Sequence, residues 1–251
     1  MTSDTIERTG VTVDVQDLRK SFGKQEVLCG LGMHVDRGEI FVVMGPSGSG
    51  KSVLLRHLIG LDSPDSGKIL IEGQPVHQVS QEQRYRMAMV FQSGGLLGSL
   101  TVGENVGLYL REHRLRSQKE IDEVVSHTLA LVGLEGNQNQ YPAQLSGGMR
   151  KRAAIARALV IEPQLILYDE PTSELDPLMA VTIGREIRKL RQQTGATSIV
   201  VSHDRDLAFG VADRIALINQ GKILMIGTPD EVRRSDLPQV HEFLNAGFNS
   251  N

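Results

Sequence analysis

Two short stretches of this 251-residue chain carry residues suited to holding phosphate. The first, "GPSGSGKS" at Gly45–Ser52, fits G-x-x-x-x-G-K-[ST] in full. Gly45 and Gly50 permit a tight backbone, and the N–H groups of the loop wrap an anion. Lys51 reaches the β- and γ-phosphates, and Ser52 is a ligand for Mg2+. The second stretch, "LSGGMRKR" at Leu145–Arg152, sets a serine and two glycines at the mouth of an expected helix, which is again an anion cradle. A single nucleotide needs only one such loop, so the second calls for an explanation.

Other residue types complete a hydrolytic set. "LILYDE" is an apolar run that delivers Asp169 to a metal, usually through water, with Glu170 beside it. A carboxylate in that position orients and polarises an attacking water. "VSHD" ends a further apolar run at His203, which can hydrogen-bond a γ-phosphate. "VFQS" offers Gln92, a neutral amide that suits both Mg2+ and the lytic water. The expected metal set is therefore Ser52, Gln92 and Asp169, and the expected catalytic set is Glu170, His203 and Gln92. Arg150, Lys151 and Arg152 read as the solvated face of a helix, and no motif surrounds Cys29, the one cysteine.

These residues need strand ends and helix starts to position them. "VTVDVQDL" (Val11–Leu18) alternates as a half-buried strand does. "EIFVVMG" leads into the Gly-rich loop and "KSVLLRHLIGL" reads as the helix after it, the context such a loop requires. "KILIEG" and "MAMVFQ" read as further strands. From Val102 to about Ile161 the periodicity is helical, which marks an inserted helical subdomain at about 95–161. Then follow a strand in "LILYDE", a helix near Pro177–Gln193, a strand in "SIVVSH", a short helix near Asp206–Ala212, strands in "RIALIN" and "KILMIG", and a helical tail from Pro229 to Leu244. The expected domain covers 10–246, with flexible ends at 1–9 and 247–251.

The bulk composition narrows the class. Net charge is −3, from 27 basic and 30 acidic residues, without the basic stripe of a nucleic-acid binder. A single cysteine allows no internal disulfide and points to a reducing compartment. The first ten residues lack the apolar core of a secretory signal, and no apolar run approaches a bilayer span. Membrane contact is therefore expected only through a partner.

The order of motifs resembles that of an ABC-transporter ATPase subunit over nearly the whole length. "GPSGSGKS" looks like Walker A, "LILYDE" like Walker B, "FQ" at Gln92 like the Q-loop, and "LSGGM" like the family signature. "ELDP" at Glu174–Pro177 looks like the D-loop and "SH" at His203 like the switch histidine. The resemblance implies an α/β fold: a P-loop NTPase core (RecA-like) with an antiparallel β subdomain and an inserted α-helical signature subdomain. It implies ATP and Mg2+. It places Phe22 against adenine with Val27 nearby, and the loop residues Gly45, Pro46, Ser47, Gly48, Ser49, Gly50, Lys51, Ser52 and Val53 around the nucleotide. It also explains the second cradle. Two subunits face each other head to tail, so Ser146, Gly147, Gly148 and Met149 serve the partner's nucleotide, with Asp176 of the D-loop at the seam.

Three stretches are similar to the ATPases of Mla/Mkl-type lipid transporters, which work with MCE-domain proteins. These are "GKSVLLRHLIGL", "LSGGMRKRAAIARAL" and "GGLLGSLTVGENVGLYLREH". That likeness implies a homodimer on the cytoplasmic face of the inner membrane, bound to integral-membrane permease subunits, with an MCE-domain protein and small accessory subunits as further partners and no nucleic acid. Two positions depart from the pattern. Glu174 stands where the family has glycine, with an expected conformational cost of about 1 kcal/mol. Gly103 stands where an aromatic is common, and a weakened helix start is expected there. Two alternatives remain: an importer ATPase for amino acids or another small solute, and a soluble ABC ATPase of translation or repair.

Overall fold

The computed structural model describes residues 10–76 and 86–245. The ends expected to be flexible, 1–9 and 247–251, lie outside the described residues, as does Ala246 of the expected domain.

The central sheet contains β3 (Ile40–Met44), β6 (Met87–Val90), β7 (Leu165–Asp169), β8 (Thr197–Ser202), β9 (Arg214–Asn219) and β10 (Lys222–Gly227). Its order is β10-β9-β3-β8-β7-β6. All neighbours run parallel except β10, which returns antiparallel on β9. The hairpin between them turns on Gln220 and Gly221, with φ of 46° and 73°, the left-handed pair that suits a two-residue turn.

Strands buried on both faces read as continuous apolar runs. β3 is buried at all five positions, and its alternate residues feed two cores. Val42 and Met44 join Ile166, Tyr168 and Val200 under the helices α2–α6. Phe41 and Val43 join Leu165, Leu167 and Val201 against α1 and the second sheet. That sheet is antiparallel, in the order β2-β1-β4-β5, from β1 (Val13–Phe22), β2 (Gln25–Val35), β4 (Ser66–Ile71) and β5 (Gln74–Pro75). The two sheets are tied where the Cys29 N–H donates to the Gly221 carbonyl at 2.9 Å.

The helices are α1 (Lys51–Leu58), α2 (Val102–Glu112), α3 (Gln118–Leu131), α4 (Gly147–Leu159), α5 (Pro177–Thr194), α6 (Arg205–Val211), α7 (Pro229–Arg233) and α8 (Pro238–Asn245). α2, α3 and α4 lie between β6 and β7 in the chain.

Four expectations need correction. β2 was absent from the sequence reading, because Gly30 and Gly32 interrupt its alternation and the β1–β2 register shifts near Asp17, at φ 43°. The tail is two helices, parted before Pro238, which cannot extend α7. The start of α2 is not weakened by Gly103. A capping box between Thr101 and Glu104 secures it, and the Gly103 N–H donates to the Gln138 carbonyl at 2.8 Å. The solvated-face reading holds for Arg150, which is exposed, but not for Lys151, which is buried, or Arg152, which is half-buried. Their side chains donate to the carbonyls of Leu145, of Gln92, and of Val132 and Gly133 respectively.

Candidate functional site

In an open parallel sheet, ligands bind beyond the carboxyl ends of the strands. The strand register aligns those ends here: Met44 pairs with Ser202, Asp169 with Val201, and Val90 with Tyr168. One residue further along each strand come Gly45, His203, Glu170 and Phe91–Gln92. The topology thus brings Gly45–Ser52, Asp169, Glu170 and His203 to one edge.

The start of α1 is open to an anion. Its N-cap is Gly50, at φ 102°, with no side-chain cap. A Cβ there would lie 2.9 Å from the Val27 carbonyl, so β2 presses on the loop and only glycine fits. By contrast α2, α3, α4, α5, α6 and α7 each carry a side-chain cap. The first N–H groups of an uncapped helix, with its dipole, favour an anion.

The Lys51 ammonium is buried and donates to the Gly45 and Pro46 carbonyls at 2.8 and 3.0 Å. Burial pushes its pKa down, against the pull of Glu170 and Asp169. The buried Ser49 hydroxyl has no hydrogen-bond partner. An uncapped helix start, an orphaned hydroxyl and a cation held on its own loop fit a phosphate chain. Pro46, Ser47 and Gly48 are exposed at the tip, and Val53 is half-buried in the first turn of α1. Phe22 ends β1 with about half its surface exposed, and the Lys20 ammonium lies over its ring at 5.7 Å.

Ser52 Oγ donates to Asp169 Oδ1 at 3.0 Å. Two adjacent oxygens suit Mg2+, which takes one or two protein ligands and completes its shell with phosphate oxygens and water. Burial pushes the Asp169 carboxyl up, while the Ser52 hydroxyl pulls it down. Ser52 and Asp169 would hold Mg2+, which would supply charge neutralisation to a bound phosphate chain.

Glu170 is nearly buried and holds φ at 47°, a conformation rare outside glycine. Its N–H donates to the Val201 carbonyl at 2.9 Å. Its Oε2 accepts from Ser202 Oγ at 3.2 Å and from the His203 backbone N–H at 3.2 Å, and lies 2.9 Å from His203 Nδ1. Oε1 lies 3.7 Å from the Lys51 ammonium. The left-handed backbone is thus held through its own N–H, and the carboxylate by Ser202, His203 and Lys51. Ser202, fully buried, is a contributor the sequence reading missed; a lone hydroxyl closing "SIVVS" is its only signal. Thr172 is a second, donating to Asp204, the cap of α6, at 2.9 Å.

The signature starts a different helix. Ser146 is the N-cap of α4, and its Oγ accepts from the Met149 N–H at 3.3 Å. Ser146 is exposed, Gly147 and Met149 are half-buried, and Gly148 is buried. A Cβ on Gly148 would fall 1.8 Å from Met179 Cε, so α5 packs directly on this turn. Asp176 caps α5 by accepting from the Met179 N–H at 3.0 Å. Gln92 reaches α4 through its carbonyl and Lys151, and its side chain is exposed. The expected positive φ of Glu174 is present, at 65°.

Fold and site together define a P-loop nucleotide hydrolase carrying a second, outward-facing cradle. In comparison with known families, residues 28–173 match the ABC transporter family. The Mycobacterium tuberculosis "probable ribonucleotide transport ATP-binding protein mkl" is 40% identical over 240 residues, spanning 94% of this chain and 67% of that protein. The "sulfate/thiosulfate import ATP-binding protein CysA" of Caulobacter vibrioides is 41% identical over 232 residues, spanning 91% and 68%. Among solved structures, the dimeric ATP-binding cassette MJ0796 bound to ADP and Pi aligns with TM-score 0.77 and 32% identity over 86% of this chain and 98% of that one. The cbiO1 structure from Clostridium perfringens aligns with TM-score 0.82 and 28% identity over 94% and 95%. The chain belongs to the ABC transporter family. It is an ATPase of that family, and it uses ATP with Mg2+.

Proposed function

We propose that this chain energises a permease that moves phospholipid or another hydrophobic cargo in the bacterial envelope. It acts as a homodimer on the cytoplasmic face of the inner membrane. The observation that carries the dimer is the pair of helix starts: one is uncapped beside Lys51, and the other is capped at an exposed signature. On this reading Lys51 and the loop from Gly45 to Val53 hold the phosphates, Ser52, Asp169 and Gln92 serve Mg2+, and Phe22 and Val27 meet the adenine. Glu170 takes the proton of the attacking water, His203 holds Glu170 and the γ-phosphate side, and Asp176 stands at the seam. Ser146, Gly147, Gly148 and Met149 close on the partner's nucleotide.

A groove of about 700 Å³ lined by Tyr109, Leu110 and Leu115, with Arg86, Arg116 and Glu162 beside them, is suited to a short permease helix that carries charge as well as apolar residues. Among the described residues no helix is long and apolar enough to cross a membrane. The lipid assignment rests on the likeness of "GKSVLLRHLIGL", "LSGGMRKRAAIARAL" and "GGLLGSLTVGENVGLYLREH" to Mla/Mkl-type ATPases. On that likeness the MCE-domain protein is a further partner. Small-solute import is the second reading, favoured by relatives at about 40% identity named for sulfate/thiosulfate and Fe(3+) import.

The test is ATPase assay of the chain with its co-purified permease in nanodiscs. Stimulation by phospholipid, with none by sulfate, thiosulfate, ferric ion or ribonucleotide, is expected. Stimulation by a small solute alone would replace the lipid reading and leave the ATPase reading intact.

A further inference from the structure

Lys151 lies in α4 two residues beyond Met149 of the signature, next to the exposed Arg150. It nevertheless points inward and is 7% exposed. A buried ammonium is retained only where acceptors surround it. This one donates to the Gln92 carbonyl at the end of β6 and to Ser173 Oγ at 3.3 Å, in the connection between β7 and α5. Those two acceptors are 81 residues apart in the chain and follow the neighbouring strands β6 and β7. Ser173 in turn donates its N–H to the Glu170 carbonyl at 3.1 Å. A second basic residue of α4, Arg157, donates to the Gly94 and Gly95 carbonyls at 3.0 and 2.5 Å. Arg157 holds the loop after Gln92 alone, whereas Lys151 holds both that loop and the segment next to Glu170.

We propose that Lys151 is a positioning residue that locks the Gln92 loop and the Ser173 turn to the signature helix. The consequence for turnover rests on the role proposed above for Gln92: a displacement of the Gln92 loop would reach the Ser173 turn beside Glu170 through one ammonium.

The test is hydrogen–deuterium exchange on the full chain with Lys151→Met, which keeps the stem and removes the donors. The Gly94, Ser173 and Leu175 amides are the reporters, because each closes a local turn. Peptides spanning 91–97 and 171–176 should both exchange about tenfold faster, since a hydrogen bond to a charged group is being removed from each. The α4 peptide at 153–159 should stay as protected as in the wild type. Ser173→Ala should free 171–176 alone, and Lys151→Arg should restore much of the protection. If the methionine variant does not fold, Lys151→Gln carries the same comparison. Wild-type exchange in both peptides, a change in only one, or equal loosening of 153–159 would overturn the lock. ATPase assay of Gln92→Ala tests the functional reading separately. An unchanged rate there removes Gln92 from the chemistry and leaves the lock standing.

Discussion

The helix starts at Lys51 and at Gly147 are alike in sequence, each glycine-rich with a serine and followed by basic residues, yet they are built differently. At α1 the cap is a left-handed glycine with no side chain to offer, and a buried ammonium, two carboxylates and a histidine converge on the opening. At α4 the Ser146 hydroxyl already serves its own helix, and the turn packs on Met179 of α5. The first start has the open donors and buried charges suited to an anion within one chain. The second is capped by its own serine, which is exposed. The difference teaches that two anion cradles in one sequence need not serve two anions. One can be the lid of a site whose floor lies in another copy.

Changes at the first start should have the larger effects. Glu170→Gln keeps the shape of the clamp and removes the base, so multiple-turnover phosphate release should fall about 10²–10⁴-fold. ATP binding, followed by equilibrium titration, should persist. A near-normal rate would take Glu170 out of the chemistry and reduce the contrast to one of packing.

The two glycines sharpen the comparison. Gly50→Ala forces a left-handed residue against the Val27 carbonyl, backbone that cannot yield. It should cost about 2 kcal/mol or more in chemical denaturation. Gly148→Ala meets only the flexible end of Met179, which can swing away. Its cost should be about 1 kcal/mol, with single-chain nucleotide binding unchanged. Equal costs would mean that the two starts are built alike.

Glu174 should show the smallest effect. Glu174→Gly relieves a left-handed glutamate, worth about 1 kcal/mol. It should raise the melting temperature by a few degrees and change the ATPase rate only modestly. Glu174→Gln keeps the strain, so it should be the less stable of the pair. The reverse order in a melting series would show that the left-handed backbone costs nothing at this position.

Much of this was legible in sequence because it is local. "GPSGSGKS" and "LILYDE" lie at the strand ends where their composition puts them, and a glutamate in place of glycine at 174 announces its positive φ. What escaped was long-range. β2 hides its period behind two glycines and makes its contacts across a bulged register. Ser202 and Thr172 matter only because β8 lies beside β7. Lys151 reads as a surface charge until the fold brings the Gln92 carbonyl and Ser173 within its reach. No periodicity encodes which backbone carbonyl a lysine will meet.

The shared site is the central claim, and mixed dimers test it most directly. One chain carries Lys51→Ala and a differently tagged partner carries Ser146→Arg, both with Glu170→Gln to block hydrolysis. Each homodimer then has two broken sites. If every site takes Lys51 from one chain and Ser146 from the other, the mixed dimer has one site with both defects and one with neither. It should occlude about one Mg-ATP per dimer, the intact site keeping its lysine on the phosphates and its partner's serine at the helix start. No occlusion in a verified mixed dimer, alongside occlusion in the Glu170→Gln control, would show that each signature serves its own chain and would contradict the account.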